Sequence, residues 1–364
     1  MRGNSSQAYW FLHRDFEATE VNFKNYIANS GSDNITIVNA ENGNVIRVLS
    51  VGDVPYAVAI SPDNTKVFIV NQGSATVSII NITTDTLLKT VAVEETPNAI
   101  VILPDSSKAY VSNESANSVS VIDVATNEVL TTIEVGDEPV ALGLLAPLGS
   151  KLYVLNYLDN SVSVINTTTD SVSTTITGLA GGPVAIDFLP DDDRAYVINR
   201  TASVVNIINT STDTLEETTI VLAGGVGEPI DIVARSFNNR LYIADYATDQ
   251  LHVVNTITNT VVTSIAVGVM PRHVAIVSGQ GWVINEGSDT MNIIDLSTNE
   301  ANSPIAVGNA PITLVGSETN NSIWVANFGS NNIMEFDTSS GDLIRTVAVG
   351  AEPRAIAIYE AGGA

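Results

Sequence analysis

This chain of 364 residues predicts an all-β fold, an eight-bladed β-propeller of four-stranded antiparallel blades, and three observations predict it. First, a proline recurs ahead of an apolar segment, at Pro55, Pro97, Pro139, Pro183, Pro229, Pro271, Pro311 and Pro353, with a period of about 42 residues. Second, each of the first seven prolines is followed by an apolar and aromatic run that ends in Asn or Asp, and an eighth such run, NYIAN at 25–29, precedes them all. Third, the two ends of the repeat array complement each other. A fixed period of this length marks an array of identical supersecondary units.

Each repeat reads as four strands, a to d. Strand a starts at the proline. The a–b turn that follows carries SPDN at 61–64, LPDS at 103–106 and LPDD at 189–192. Proline at the second turn position presets φ, and Asp or Asn bonds its own backbone. Strand b holds the second landmark, as in VFIVN at 67–71, LYVLN at 152–156 or IWVAN at 323–327. Strand c is apolar, as in VSVID at 119–123, and strand d resembles VLTTIEVG at 129–136, with polar turns such as DTSSGD at 337–342 between them. Valine, isoleucine and threonine dominate these segments, as half-buried strands require, and no segment keeps a helical period. The array opens with b, c and d at 25–51 and closes with a lone strand a at 353–359. Neither piece completes a blade alone. Pairing them closes the ring, removes two open sheet edges and should bury Ile356 and Ile358. Residues 25–364 are therefore expected to form one domain, preceded by an arm over 1–24.

The Tyr-Val-x-Asn core of strand b, the SPDN-like turn and the VSVID-like strand c resemble the YVTN β-propeller repeats. The likeness covers nearly all of 25–360. It implies an extracellular, cell-surface or periplasmic location, and it implies no shared reaction, since fold does not give function.

Composition narrows the partners. Forty acidic residues against 15 basic ones give a net charge of −25, which repels phosphate backbones and argues against nucleic acid. There is no cysteine, hence no disulfide or thiolate metal site. Residues 1–24 do not read as a signal peptide, and no apolar stretch is long enough to span a bilayer. That segment carries Tyr9, Trp10, Phe11, Phe16 and Phe23, five of the 21 aromatic residues, which suits an arm that docks on its own propeller or on a neighbouring subunit.

Candidate site residues are sought where one repeat departs from the others. The second residue after the proline is Ala57, Ala99, Ala141, Ala185 and Ala355 in five repeats, but Asp231, His273 and Thr313 in three consecutive ones. Small residues suit the crowded inner end of a blade, so these three predict a polar patch beside the central tunnel, with Asp187 further along the same face. Either a carboxylate orients an imidazole there, or a hydrogen-bonded pair fills one side of the ring. After the strand-b Asn or Asp stand Tyr157, Arg200 and Tyr246, aromatic residues beside an arginine, as binding surfaces use. Just ahead of the prolines, Asp53, Glu95, Glu138, Glu228 and Glu352 form an acidic rim. Oxygen ligands of that kind suit Ca²⁺ or Mg²⁺, yet none has calcium-loop spacing, so solvated acids are the first reading and no resident cofactor is expected. Arg272 and Arg354 follow their prolines and would neutralise the rim. Zinc-ligand spacing, nucleophile elbows and phosphate loops are absent. The expected function is a non-catalytic interaction or scaffold propeller with a protein or cell-surface partner. A structural subunit of a surface layer or filament, assembling through 1–24, and a metal-assisted lactonase or lyase at the tunnel mouth are the alternatives.

Overall fold

A computed structural model of the protein describes residues 23–145, 149–189, 193–222 and 227–361. Eight antiparallel sheets of four strands each are arranged in chain order. Blade 1 is composite: strand a, Pro353–Glu360, pairs with b, Phe23–Asn29, which is followed by c, Asn34–Asn39, and d, Val45–Ser50. The closing register sets Asn25 opposite Ile358 and Ile27 opposite Ile356. Blades 2 to 8 begin at the prolines 55, 97, 139, 183, 229, 271 and 311. In blade 7 strand d is broken into Glu300–Ala301 and Ile305–Ala306, both paired to strand c. Pro304 stands in the gap, where it has no N–H to give the ladder.

The strands follow from where their faces go. Strands b and c are covered on both sides by neighbouring blades, so they read as near-continuous apolar runs; Lys151–Asn156 and Ser161–Asn166 are buried almost throughout. Strand d lies at the rim, and Glu128–Glu134 is exposed but for Ile133. Strand a lines the tunnel and is half-buried. The core is therefore divided into eight clusters, one at each blade interface. Between blades 4 and 5, for example, Tyr153, Leu155, Val162 and Val164 meet Ala195, Val197 and Ile208. In the closing strand Ile356 is buried as expected, whereas Ile358 is only half-buried because its side chain lies at the edge of the cluster shared with blade 8.

Polar side chains fasten one blade to the next on both faces of the disc. On the face of the a–b and c–d turns, Lys108 and Tyr110 of blade 3 reach Asp170 in the c–d turn of blade 4, at 2.7 and 2.6 Å. Lys151 and Tyr153 hold Asp213 of blade 5 in the same way, and Lys24 and Tyr26 hold Asp85 of blade 2. On the opposite, upper face, a left-handed Asn or Asp in six of the b–c loops accepts from the d–a loop of the next blade, as Asn117 does from Glu138 N–H, Asp249 from Met270 N–H and Asn331 from Glu352 N–H; in blade 2 the position is Ala75, and in blade 5 Ser203 donates to the carbonyl of Gly227 instead. Asn and Asp tolerate positive φ, which is why they recur there.

The Asn that ends strand b has a third role. Its amide donates to the Ser or Thr of strand c, as Asn156 does to Ser163 and Asn71 to Ser78, and a glycine of the d–a loop passes directly over it. A Cβ on Gly136 would lie 2.6 Å from Asn156 Nδ2, so no larger residue fits. The segment expected as an arm lies outside the described residues up to 22, whereas Phe23 and Lys24 already belong to strand b of blade 1. The LPDD turn likewise falls outside them at 190–192.

Candidate functional site

All eight inner strands share one irregularity. In each, pairing to strand b skips the residue after the proline: Pro55 pairs with Asn71 and Ala57 with Val70, leaving Tyr56 out, and in blade 1 Arg354 is passed over between Pro353 and Ala355. The other skipped residues are Asn98, Val140, Val184, Ile230, Arg272 and Ile312. A bulge inserts one unpaired residue and re-aims its side chain. Here six of these bulge side chains turn to the upper mouth of the tunnel and wall a cavity of about 490 Å³.

Five of the six residues expected in a binding patch line this cavity: Arg200, Asp231, Tyr246, His273 and Thr313. Tyr56, Val184, Ile230, Arg272, Ile312 and Arg354 complete the lining. Tyr157 does not line it. Its ring lies against Gly182 in the d–a loop of blade 5, where a Cβ would meet it at 2.9 Å, and so it covers the edge of a neighbouring blade.

The polar trio below the bulge residues belongs to a chain of contacts between inner strands. Asp231 Oδ2 accepts the N–H of Val274 in blade 7 at 2.8 Å, and His273 Nδ1 accepts the N–H of Leu314 in blade 8 at 3.1 Å. Asp187 accepts from Ala234 of blade 6 at 2.7 Å. An amide donor on Nδ1 places the ring proton of neutral His273 on Nε2, which lies 3.6 Å from Asp231 Oδ2. That distance exceeds a hydrogen bond, so the backbone of blade 8 orients the imidazole and the carboxylate does not. Thr313 Oγ1 stands 3.4 Å from the same Nδ1. Burial raises the Asp231 carboxyl above its ordinary value against the opposing pull of His273 and of two backbone N–H groups. Asp187 is raised too, by burial first and then by the charge of Asp231.

Three guanidinium groups face the cavity in different states. Arg200 is paired with Glu228 at 3.0 Å and Arg272 with Glu286 at 2.8 Å. Arg354 has no carboxylate within ion-pair distance among the described residues. Its guanidinium sits 4.3 Å from the ring centre of Tyr56 and 5.8 Å from that of Phe328, and aromatic faces hold a cation in this way.

The acidic rim is scattered. Asp53, Glu95, Glu138, Glu228 and Glu352 each sit on a different blade, with Asp53, Glu95 and Glu352 exposed. Glu228 is engaged by Arg200, and Glu352 packs on Gly31. Among the described residues no three His, Asp or Glu side chains gather as metal ligands would.

Blade 6 contains a second polar line that the sequence did not announce. His252 Nε2 lies 3.1 Å from Asp245 and Nδ1 lies 2.8 Å from Ser264. Asp245 and His252 are wholly buried and occupy the places of the Asn and Ser in other blades, so this is the blade's internal tie in charged form. Burial pulls the Asp245 carboxyl up, but hydrogen bonds from His252, Glu228 N–H and Thr248 outweigh it and hold the group below its ordinary value.

No family model matches the chain, and no curated protein does. Solved structures resemble it in shape. The dihydro-heme d1 dehydrogenase NirN in complex with DHE superposes with a TM-score of 0.77 at 14% identity, over 96% of this chain and 77% of that one. AztD from Citrobacter koseri gives 0.72 at 14% identity, over 94% and 99%. Hydrazine synthase of Kuenenia stuttgartiensis gives 0.65 at 19% identity, over 79% and 96%. At these identities the likeness is one of fold.

Proposed function

We propose that this propeller is a non-catalytic interaction module that takes its ligand at the upper mouth of the tunnel. The observation that carries the reading is the cavity of about 490 Å³, into which the blades direct the side chains that differ from repeat to repeat. Residues common to all repeats build the blades, and residues particular to one blade collect in one place. Binding sites of this size combine apolar walls with a few polar groups, and Val184, Ile230 and Ile312 supply the walls here. The polar trio is engaged in hydrogen bonds between strands, which favours recognition over proton transfer: Asp231 and His273 both spend an acceptor on a backbone N–H. The YVTN-like repeats support an extracytoplasmic home for such a module, on resemblance.

Substituting Thr313→Trp should fill the cavity from its wall at the cost of one 3.4 Å contact, that of Thr313 Oγ1 with His273 Nδ1 of blade 7. The variant is expected to fold as the parent does and to lose ligands bound at the mouth, read by ligand-observed NMR with a small-molecule library. Hits that bind parent and variant alike would sink the reading. Turnover of a lactone or ester panel by the parent, abolished in the variant, would replace it with an enzyme.

A further inference from the structure

The next question is what the mouth selects, and the inference rests on the reading of the mouth as a binding site. We propose that the cavity is built for an amphipathic oxyanion, a ligand with one carboxylate or phosphate group on an apolar body, and that the bulge residues Arg272 and Arg354 receive the charged end.

The first support is the inversion of local charge. The chain as a whole carries −25, with 10 of its 15 basic residues arginine, yet the cavity lining holds three guanidinium groups and a single carboxylate. That carboxylate, Asp231, already gives Oδ2 to the N–H of Val274 and is held toward its neutral form by burial. A cation would find little to bind; an anion would find Arg354 unspent. Arg200 and Arg272 are paired with Glu228 and Glu286, so the charge that draws an anion to the mouth is chiefly that of Arg354.

The second support is geometry. Arg272, Ile312, Arg354 and Tyr56 are the bulge residues of blades 7, 8, 1 and 2, four neighbours around the ring. Two guanidinium groups thus flank one apolar side chain on a continuous arc. A guanidinium presents five donors in a fixed fork, matched to the two oxygens of a carboxylate or phosphate. Arg272 spends Nη1 on Glu286 and keeps the rest of its fork. Arg354 is held over the ring of Tyr56, so its rotamers are restricted before any ligand arrives and less entropy is lost on binding. Across the mouth Val184 and Ile230 offer an apolar surface beside Tyr246, and that is where the body of the ligand would lie.

The test uses the full chain and four probes of one shape: benzoate, phenyl phosphate, neutral benzamide and cationic benzamidine. Binding is measured by calorimetry at low and high salt. Benzoate, phenyl phosphate or both should bind, benzamide should be weaker by about ten-fold or more, and benzamidine should not compete; loss of one charge-assisted hydrogen bond accounts for a factor of that size. Arg354→Gln and Arg272→Gln should each cost the anions about the same factor and leave benzamide unchanged. Arg47→Gln, on the outer rim, should change nothing. Should Arg354→Gln fail to fold, Tyr56→Leu removes the stacking while leaving the charge, and should weaken the anions less. Preference for phenyl phosphate over benzoate would assign the natural group as a phosphate, and the reverse as a carboxylate. Equal binding of benzamide and benzoate, or an unchanged anion affinity in both arginine variants, would overturn the oxyanion proposal while leaving the mouth as a binding site. If Thr313→Trp leaves every probe's affinity unchanged, both readings fall.

Discussion

Asp231 meets two opposing demands. It supplies an acceptor to the N–H of Val274, and it stands half-buried among the inner strands, where a charge is costly. A carboxyl raised above its ordinary value of 3.8 holds its proton more tightly in the folded chain than in the unfolded one. Its contribution to stability therefore declines as the pH climbs from that ordinary value through the raised one, and then levels off. Asp231→Asn keeps an acceptor and removes the titration. The variant should gain on the parent as pH rises from about 4 to 7, measured as the difference in melting temperature; a constant difference would mean that Asp231 ionises without penalty. Asp245 has the opposite sign, since its depressed carboxyl gives stability above the ordinary value that is lost as pH falls through the lowered one. Asp231, His273 and Thr313 were legible in the sequence because they break a row of alanines. Their role was not, because which backbone N–H each side chain meets depends on the neighbouring blade. Tyr56 was passed over for a related reason: a bulge re-aims a residue, and periodicity alone gives no sign of it.

At the scale of the element, the blade is fixed by its ties to the next. Asp170 is the partner of both Lys108 and Tyr110 across one interface, and burial together with that hydrogen bond pushes the Tyr110 hydroxyl far up. Asp170→Ala leaves the hydroxyl and the ammonium with only the carbonyl of Thr167. The expected loss is about 1–3 kcal/mol, the cost of under-satisfying buried donors, read as a lower denaturant midpoint with an unchanged slope. A midpoint equal to the parent's would show that the tie contributes nothing beyond burial. The closing strand is a larger matter. Removing 353–364 takes Pro353–Glu360 from the ladder of Phe23–Asn29 and strips Ile356, which is 6% exposed, from the core shared with blade 8. Burial of that side chain is worth roughly 1.5–3 kcal/mol and each ladder bond about 1 kcal/mol net, a sum comparable with the whole stability of a typical domain. The truncated chain should aggregate or unfold without cooperativity. A soluble monomer melting within a few degrees of the parent would sink the idea that closure holds the ring. The strands themselves were readable because the prolines and the Asn-ended runs keep one phase throughout; the broken strand d of blade 7, by contrast, hinges on the single Pro304, whose effect on a rim ladder is local.

For the whole molecule, eight-fold repetition separates scaffold from specificity. The tyrosines, asparagines and loop glycines recur and are occupied with one another, while the bulge position is free to be Tyr, Asn, Val, Ile or Arg because nothing in the ladder depends on it. The number of blades could be counted from the prolines alone, since each sheet is one period long. What the mouth holds could not, because it is assembled from residues that no single repeat brings together. The join in blade 1 has a consequence in time as well as in space. Ser30 meets the carbonyl of Glu352 across a sequence separation of 322 positions. A ribosome adding about 5–20 residues per second needs on the order of 15–65 s to travel that distance, whereas hairpins form in microseconds. Seven blades can thus fold in order as they emerge, while the strand Phe23–Asn29 waits with one edge bare until the last strand is made. During synthesis the hazard of mispairing is concentrated on that one edge, and a nascent chain would be most in need of a chaperone there.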